Sequence, residues 1–176
     1  EFVNFTTNSP MYHLRGTFAD EIAEDRFGRL WVSTEGGISV ISIHTLRPAE
    51  VADDEKGSFA ELLRHPSLTV SSDSLGRIWT TAGQQIYCFG FDEKGGIKEA
   101  ATLGLRHFPR GIASVCDIDG NGSPWCNVSG NICRLVPDFT TGKIEATPVD
   151  GSLSLPTDVM VGNMVRNGND VWIATE

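Results

Sequence analysis

Long apolar runs are missing from this chain. No stretch approaches the roughly 20 residues that a membrane-spanning helix requires. Positive charge is scarce as well: 14 Lys and Arg stand against 23 Asp and Glu, for a formal net charge of -9. That balance argues against a nucleic-acid partner, whose phosphates need a basic surface, and against attachment to anionic lipid. A neutral or cationic ligand stays compatible with it. The four cysteines, Cys88, Cys116, Cys126 and Cys133, are too few for a disulfide framework. Helix-like apolar periodicity is also sparse. What the 176 residues do have is 40% hydrophobic residues, enough for a buried core, and 19 glycines. The expectation is an all-β protein with many turns.

Tryptophan carries the organising pattern. The four stand at Trp31, Trp79, Trp125 and Trp172, at intervals of 48, 46 and 47 residues. Their flanks agree: "IAEDRFGRLWVSTEGGISVI" from Ile22, "VSSDSLGRIWTTAGQQIYCF" from Val70, "CDIDGNGSPWCNVSGNICRL" from Cys116, and a shorter "VRNGNDVWIATE". Six residues before Trp stands Asp25, Asp73 or Asp119. Three before it stands Gly28, Gly76 or Gly122, and seven after it Ile38, Ile86 or Ile132. Arg166 and Asn169 replace the first two in the last unit. Asp opens a turn because its carboxylate bonds backbone amides two residues on. Gly supplies the positive φ that closes a hairpin. Trp begins a strand and buries a large flat surface. Pairing across these hairpins sets Ile22 opposite Val32 and Val70 opposite Thr80, with Cys116 opposite Cys126.

Each unit therefore holds three short strands. "KGGIKEAATL" and "TGKIEATPV" supply a turn and a fourth. Four antiparallel strands recurring every 40 to 50 residues mark a β-propeller blade, with the tryptophans between blades. The chain divides into blades at 18–64, 66–107 and 110–150, a part-blade at 158–176, and an outer strand of a preceding blade at 1–10. "FVNFTT" and "WIATE" at the two ends leave unpaired faces. The expectation is a propeller fragment, cut from a longer array or closing by association.

The pattern D-x-x-G-x-[LI]-W-[VT]-x-T, followed by glycine and an I-x-[VC] strand, resembles the two-component regulator propeller repeat. "EDRFGRLWVSTEGGISVI" matches closely and "SDSLGRIWTTAGQQIYCF" well. In "DIDGNGSPWCNVSGNICRL", Pro124 replaces an aliphatic residue. "RNGNDVWIATE" matches from Trp172 onward. In that family such repeats form the extracytoplasmic sensor of hybrid histidine kinases of gut Bacteroidetes, many of which respond to polysaccharide breakdown products. The resemblance implies a periplasmic, non-catalytic module that senses a small carbohydrate and needs no cofactor. It also implies a parent kinase that is a homodimer and meets the membrane only through segments downstream of this one. "PRGIASVCDIDGNGSPWCNVSGNICRL" is similar as well to streptogramin-lyase propellers, an enzymatic alternative that requires an inner-rim histidine. Only His107 lies just before an inner strand. A protein-binding scaffold is the third reading.

Candidate ligand residues lie in the segments leading into inner strands, where propeller connections reach the mouth. "LRHFPRG" offers Arg106, His107 and Arg110, and "MYHLRG" offers Tyr12 and Arg15; "HPSL", from His65, fills the same place in the middle repeat. Arginine's planar fork suits a carboxylate, and Tyr12 suits the face of a sugar ring. Asp117, Asp119 and Asn121 match the first half of a calcium loop, but Trp125 and Val128 occupy its ninth and twelfth positions, where no carboxylate arrives. A structural turn is the expectation there. "DDEKG" at Asp53 to Gly57 is expected to be a charged surface loop and nothing more. No Ser-His-Asp arrangement or phosphate-cradling loop is present.

Overall fold

The computed structural model describes residues 8, 14–105, 115, 120–128, 131–149, 161–167 and 170–175. Short β-branched and aromatic segments between glycine turns form strands, as their composition favours. The first blade holds β1 (Ala19–Glu24), β2 (Arg29–Thr34) and β3 (Gly37–Ser42), in spatial order β1-β2-β3. The five-residue helix α1 (Ser58–Leu62) leads into the second blade: β4 (Ser67–Ser72), β5 (Ile78–Ala82), β6 (Gln85–Phe91) and β7 (Ile97–Gly104). The third shows β8 (Trp125–Val128), β9 (Asn131–Asp138) and β10 (Lys143–Pro148), and β11 (Val161–Asn167) pairs with β12 (Asp170–Thr175) beyond it. All pairing within blades is antiparallel. A single parallel bridge, Lys143 to Thr102, joins the outer edges of the second and third blades.

The hairpin registers follow the repeat. Ile22 faces Val32 and Val70 faces Thr80. Gly28, Gly76 and Gly122 adopt φ of 68°, 75° and 74°, a region costly for any residue with a Cβ. The second blade has the full four strands. In the first, the fourth strand is reduced to one bridge, Ile41 to Pro48, bracketed by Ser42 N–H to Arg47 O at 2.9 Å and Ala49 N–H to Val40 O at 2.8 Å. The "DDEKG" stretch corrects its reading as a mere surface loop. Asp53 accepts from the N–H groups of Phe59 and Ala60 at 2.8 Å each, and Asp54 from the N–H and hydroxyl of Ser58 at 2.8 and 2.7 Å. These carboxylates satisfy the opening N–H groups of α1.

The core lies in the seams between blades. Trp31 is fully buried against Phe59, Phe89 and Phe91, at ring-centroid distances of 5.5, 6.5 and 5.8 Å. Trp79 packs in the next seam with Cys88, Cys126, Leu135 and Ile144. Trp125 packs with Ile132 and Met164 in the one after. Each of these three tryptophans thus covers the blade that follows it, an arrangement in which neighbours supply one another's core.

Candidate functional site

The two ends of the blades are chemically different. At one end the Asp-x-x-Gly turns carry a repeated lock. Oδ1 of Asp25 accepts from the N–H groups of Phe27 and Arg29 at 2.9 and 3.1 Å. Its Oδ2 accepts from Arg29 Nε and Trp31 Nε1, both at 2.7 Å. Asp73 repeats this with Leu75 and Arg77 N–H at 3.0 Å each, and with Arg77 Nε and Trp79 Nε1 at 2.7 Å. Both aspartate side chains have no exposed surface. Each arginine then reaches onward to a glycine carbonyl: Arg29 Nη1 donates to Gly95 O at 2.7 Å, and Arg77 donates to Gly122 O. The Arg29 guanidinium also lies 5.0 and 5.1 Å from the ring centres of Phe27 and Phe91, where the aromatic faces attract a cation. Sequence reasoning saw the aspartates as turn formers and missed these arginines. The available signal was an arginine two residues before Trp in both units. The third unit has Ser123 there, and Trp125 Nε1 is buried with no partner among the described residues.

The opposite end is the mouth. In the first two blades the segment entering the first strand meets the turn between the second and third. Glu35, in the β2–β3 turn, accepts from Thr17 N–H at 2.6 Å, its hydroxyl at 2.7 Å and Phe18 N–H at 3.0 Å. Those donors hold its carboxyl down to about 2. Gly83 N–H donates to Pro66 O at 3.2 Å, and Leu105 N–H to Gln84 O at 2.9 Å. Arg15 crosses from the first blade to the second: its N–H donates to Ser39 Oγ at 2.9 Å and its Nη1 to Leu63 O at 3.2 Å. The first strands of the two blades are tied too, since Glu21 on β1 accepts from Val70 N–H on β4 at 3.0 Å. Burial raises the Glu21 carboxyl, with that hydrogen bond opposing and nearby Asp20 reinforcing.

A cavity of about 740 Å³ opens at this mouth, lined by His65, Ala82, Gly83, Gln84, Gln85, Gly104 and Leu105. Its size suits a small ligand. Gln84 and Gln85 are exposed and offer both donors and acceptors. His65 Nε2 sits 3.2 Å from Glu61 Oε1, leaving the ring tethered at the rim. Gln85 also borders a neighbouring cavity of about 400 Å³ with Lys56, Glu61, Arg64 and Tyr87. Burial, then the charge of Glu61, raises the Tyr87 phenol, so it is protonated at neutral pH.

Of the sequence-derived ligand residues, Arg15 lies at this mouth, exposed. Tyr12, Arg106, His107 and Arg110 lie outside the described residues; Leu105, which lines the cavity, directly precedes Arg106. The pair Gln84 and Gln85 was not singled out by sequence, because a cavity assembled from three separated segments leaves no local motif. Asp117 and Asp119 are outside the described residues, while Asn121 Oδ1 accepts from Ser123 N–H at 3.0 Å, a turn-forming contact. Cys116 is likewise outside them. Across β8 and β9, Cys126 faces Cys133 directly. Cys88, Cys126 and Cys133 are buried free thiols, each raised by burial. Among the described residues no cluster of His, Cys, Asp or Glu has the arrangement of a metal site, and no helix is long and apolar enough to cross a membrane.

No protein-family model matches the chain, and no curated protein matches it in sequence. Solved structures do match in fold. Virginiamycin B lyase from Staphylococcus aureus aligns with a TM-score of 0.56 at 15% identity, over 93% of this chain and 51% of its own. A protein of unknown function from Bacteroides caccae gives 0.54 at 11% identity, over 93% and 55%. A streptogramin B lyase gives 0.52 at 17% identity, over 93% and 50%. The chain thus spans about half the length of these solved chains. At such identities the likeness shows the fold alone, an all-β propeller-type arrangement.

Proposed function

We propose that this propeller arc is a ligand-sensing module that takes a small oligosaccharide at the mouth, as the periplasmic part of a hybrid two-component sensor kinase. The observation that carries this reading is the cavity lined by His65, Gln84 and Gln85 over a glycine floor. Sugar hydroxyls donate and accept together. The two side-chain amides match that, and Ala82 and Leu105 supply apolar surface for ring carbons. Arg15, exposed at the same end, suits an acidic sugar. The sensing role, the compartment and the kinase follow from the repeat's resemblance to two-component regulator propellers. The module binds without converting its ligand, and the bound state shifts the arrangement that the downstream dimer reads.

Calorimetric titration with neutral and uronic-acid oligosaccharides tests the reading. Expected is saturable binding that Gln84→Ala and Gln85→Ala weaken at least tenfold, with no product formed. Absence of binding across the panel overturns the sugar assignment. Turnover of a cyclic or sugar substrate, lost in His107→Ala, would replace the sensor with a lyase-type enzyme. Sequencing the parent gene in both directions tests the kinase: a reading frame that closes one propeller and stops refutes it.

A further inference from the structure

The mouth cavity does not end at Gln85. That residue also borders the cavity of about 400 Å³ lined by α1, β6 and β7. The β6–β7 register sets Gln85 opposite Gly104 and Tyr87 opposite Thr102, so one strand pair runs through both cavities. Glu61 joins their rims. Its Oε1 lies 3.2 Å from Nε2 of His65, on the mouth, and its Oε2 accepts from Arg64 Nη1 at 2.8 Å, on the second cavity. Tyr87 is 2% exposed, and its ring stacks on Phe89 with centroids 5.9 Å apart. Its hydroxyl nevertheless has no hydrogen-bond partner among the described residues, although polar groups set this deeply are ordinarily bonded. The cavity it lines is where an acceptor can arrive. Burial and the charge of Glu61 keep the phenol protonated, so it offers a donor. Lys56, exposed on the same cavity, has no ion pair among the described residues. Arg64 already matches the charge of Glu61, which leaves Lys56 as a local positive excess in a chain of net charge -9.

We infer that the second cavity is a subsite for an acidic sugar unit, whose carboxylate takes the Tyr87 hydroxyl and the Lys56 ammonium while the neighbouring unit fills the mouth across Gln85. A donor and a cation on one wall suit a carboxylate better than a hydroxyl, because bonds to a charged acceptor are the stronger ones. The sensed ligand is then an acidic oligosaccharide of at least two units. This subsite extends the sugar-binding reading of the mouth and rests on it.

Calorimetric titration with disaccharides in matched pairs tests it: galactobiose with digalacturonate, mannobiose with dimannuronate, and cellobiose with its uronic-acid counterpart. At least one acidic member is expected to bind about tenfold tighter than its neutral partner, with a gap that narrows as salt rises. Lys56→Gln is expected to close that gap. Tyr87→Phe keeps the ring on Phe89 and is expected to weaken the acidic member about tenfold. Without ligand, the same variant should melt at or above the wild-type temperature, since it loses no internal bond. A Tyr87→Phe protein that melts lower means a structural partner for the hydroxyl and overturns the assignment. Neutral and acidic members that bind alike, both weakened by Gln84→Ala, overturn the subsite and leave the mouth reading standing. So does an acid preference that Arg15→Gln abolishes and Lys56→Gln does not, which would put the carboxylate in the mouth. No binding by any member overturns the mouth reading and the subsite with it.

Discussion

Replacing Asp25 with asparagine separates two roles played by one carboxylate. As a turn former, asparagine is as good as aspartate, and Oδ1 would keep its bonds from Phe27 and Arg29 N–H. As the lock, asparagine fails. An NH₂ group replaces Oδ2 and faces two donors, Arg29 Nε and Trp31 Nε1, now each 2.7 Å from an acceptor. The lost charge-assisted bond is worth about 1.5–3 kcal/mol and the neutral one about 1 kcal/mol. The guanidinium left behind, 9% exposed, has Gly95 O as its remaining hydrogen-bond acceptor among the described residues. Breaking one side of a buried pair costs about 3–5 kcal/mol, a range that overlaps the sum of those two losses. Asp25→Asn is therefore expected to lose about 3–4 kcal/mol. Asp25→Ala, which also frees two backbone donors, should lose about 2 kcal/mol more. Asp73→Asn should fall slightly below Asp25→Asn, because Arg77 is 14% exposed. Urea unfolding at fixed protein concentration, followed by tryptophan emission and circular dichroism, measures these differences. An Asp25→Asn protein within about 0.5 kcal/mol of wild type, the usual scatter of an inconsequential surface change, would refute the lock and leave only a turn.

Other outcomes follow from the same contacts. Glu35 is held at about 2 against an ordinary 4.5, so its stabilisation is present above the ordinary value and is lost as pH falls from there toward 2. Glu35→Gln should flatten the melting temperature across that acid window. Glu21 is shifted the opposite way, chiefly by burial: the folded state holds the proton more tightly, so stability declines as pH rises past the ordinary carboxyl value toward the raised one. Glu21→Gln keeps a carbonyl for Val70 N–H and should be more stable than wild type at neutral pH, with that decline gone. Gly36→Ala would put a Cβ 2.0 Å from Arg15 O, backbone that cannot swing aside. It should destabilise by about 2–3 kcal/mol and disturb the mouth. Gly57→Ala, with open space but φ of 72°, should cost only about 1 kcal/mol and leave the mouth intact in thermal melts with and without ligand. Native Cys88, Cys126 and Cys133 should resist alkylation until urea exposes them, as mass spectrometry would show; rapid native labelling of Cys126 would contradict its burial.

Sequence was most legible where the determinants are local and repeated. The Trp period repeats a local pattern, and the glycines with positive φ and the registers Ile22–Val32 and Val70–Thr80 each lie within about a dozen residues of one hairpin. Contacts that span blades were not legible. Nothing near Arg29 announces an acceptor 66 residues on. The pairing of Cys126 with Cys133 is local, within one hairpin, and was passed over because a middle strand has two neighbours and the repeat pointed first to Cys116. The first blade departs at Pro48, where the pairing on β3 is a single bridge rather than a strand. The mouth escapes for a geometric reason: His65, Gln84 and Gly104 come together only when the second blade's first, middle and last strands align.

The onward reach of Arg29 and Arg77 bears on how such an array can lengthen or be recombined. Half of each seam's wiring is written in one unit and half in the next, since the cation belongs to one blade and the carbonyl that completes it belongs to its successor. The two acceptors are not equivalent in the repeat, since Gly95 lies 66 residues after Arg29 and Gly122 lies 45 after Arg77, so a duplicated unit would have to find a new acceptor for its cation. Inserting a stretch between Arg29 and Gly95 that moves the acceptor off its mark strands a buried charge. Each seam is thus wired by its own pair, and an insertion between units is tolerated only where it leaves that pair's reach intact.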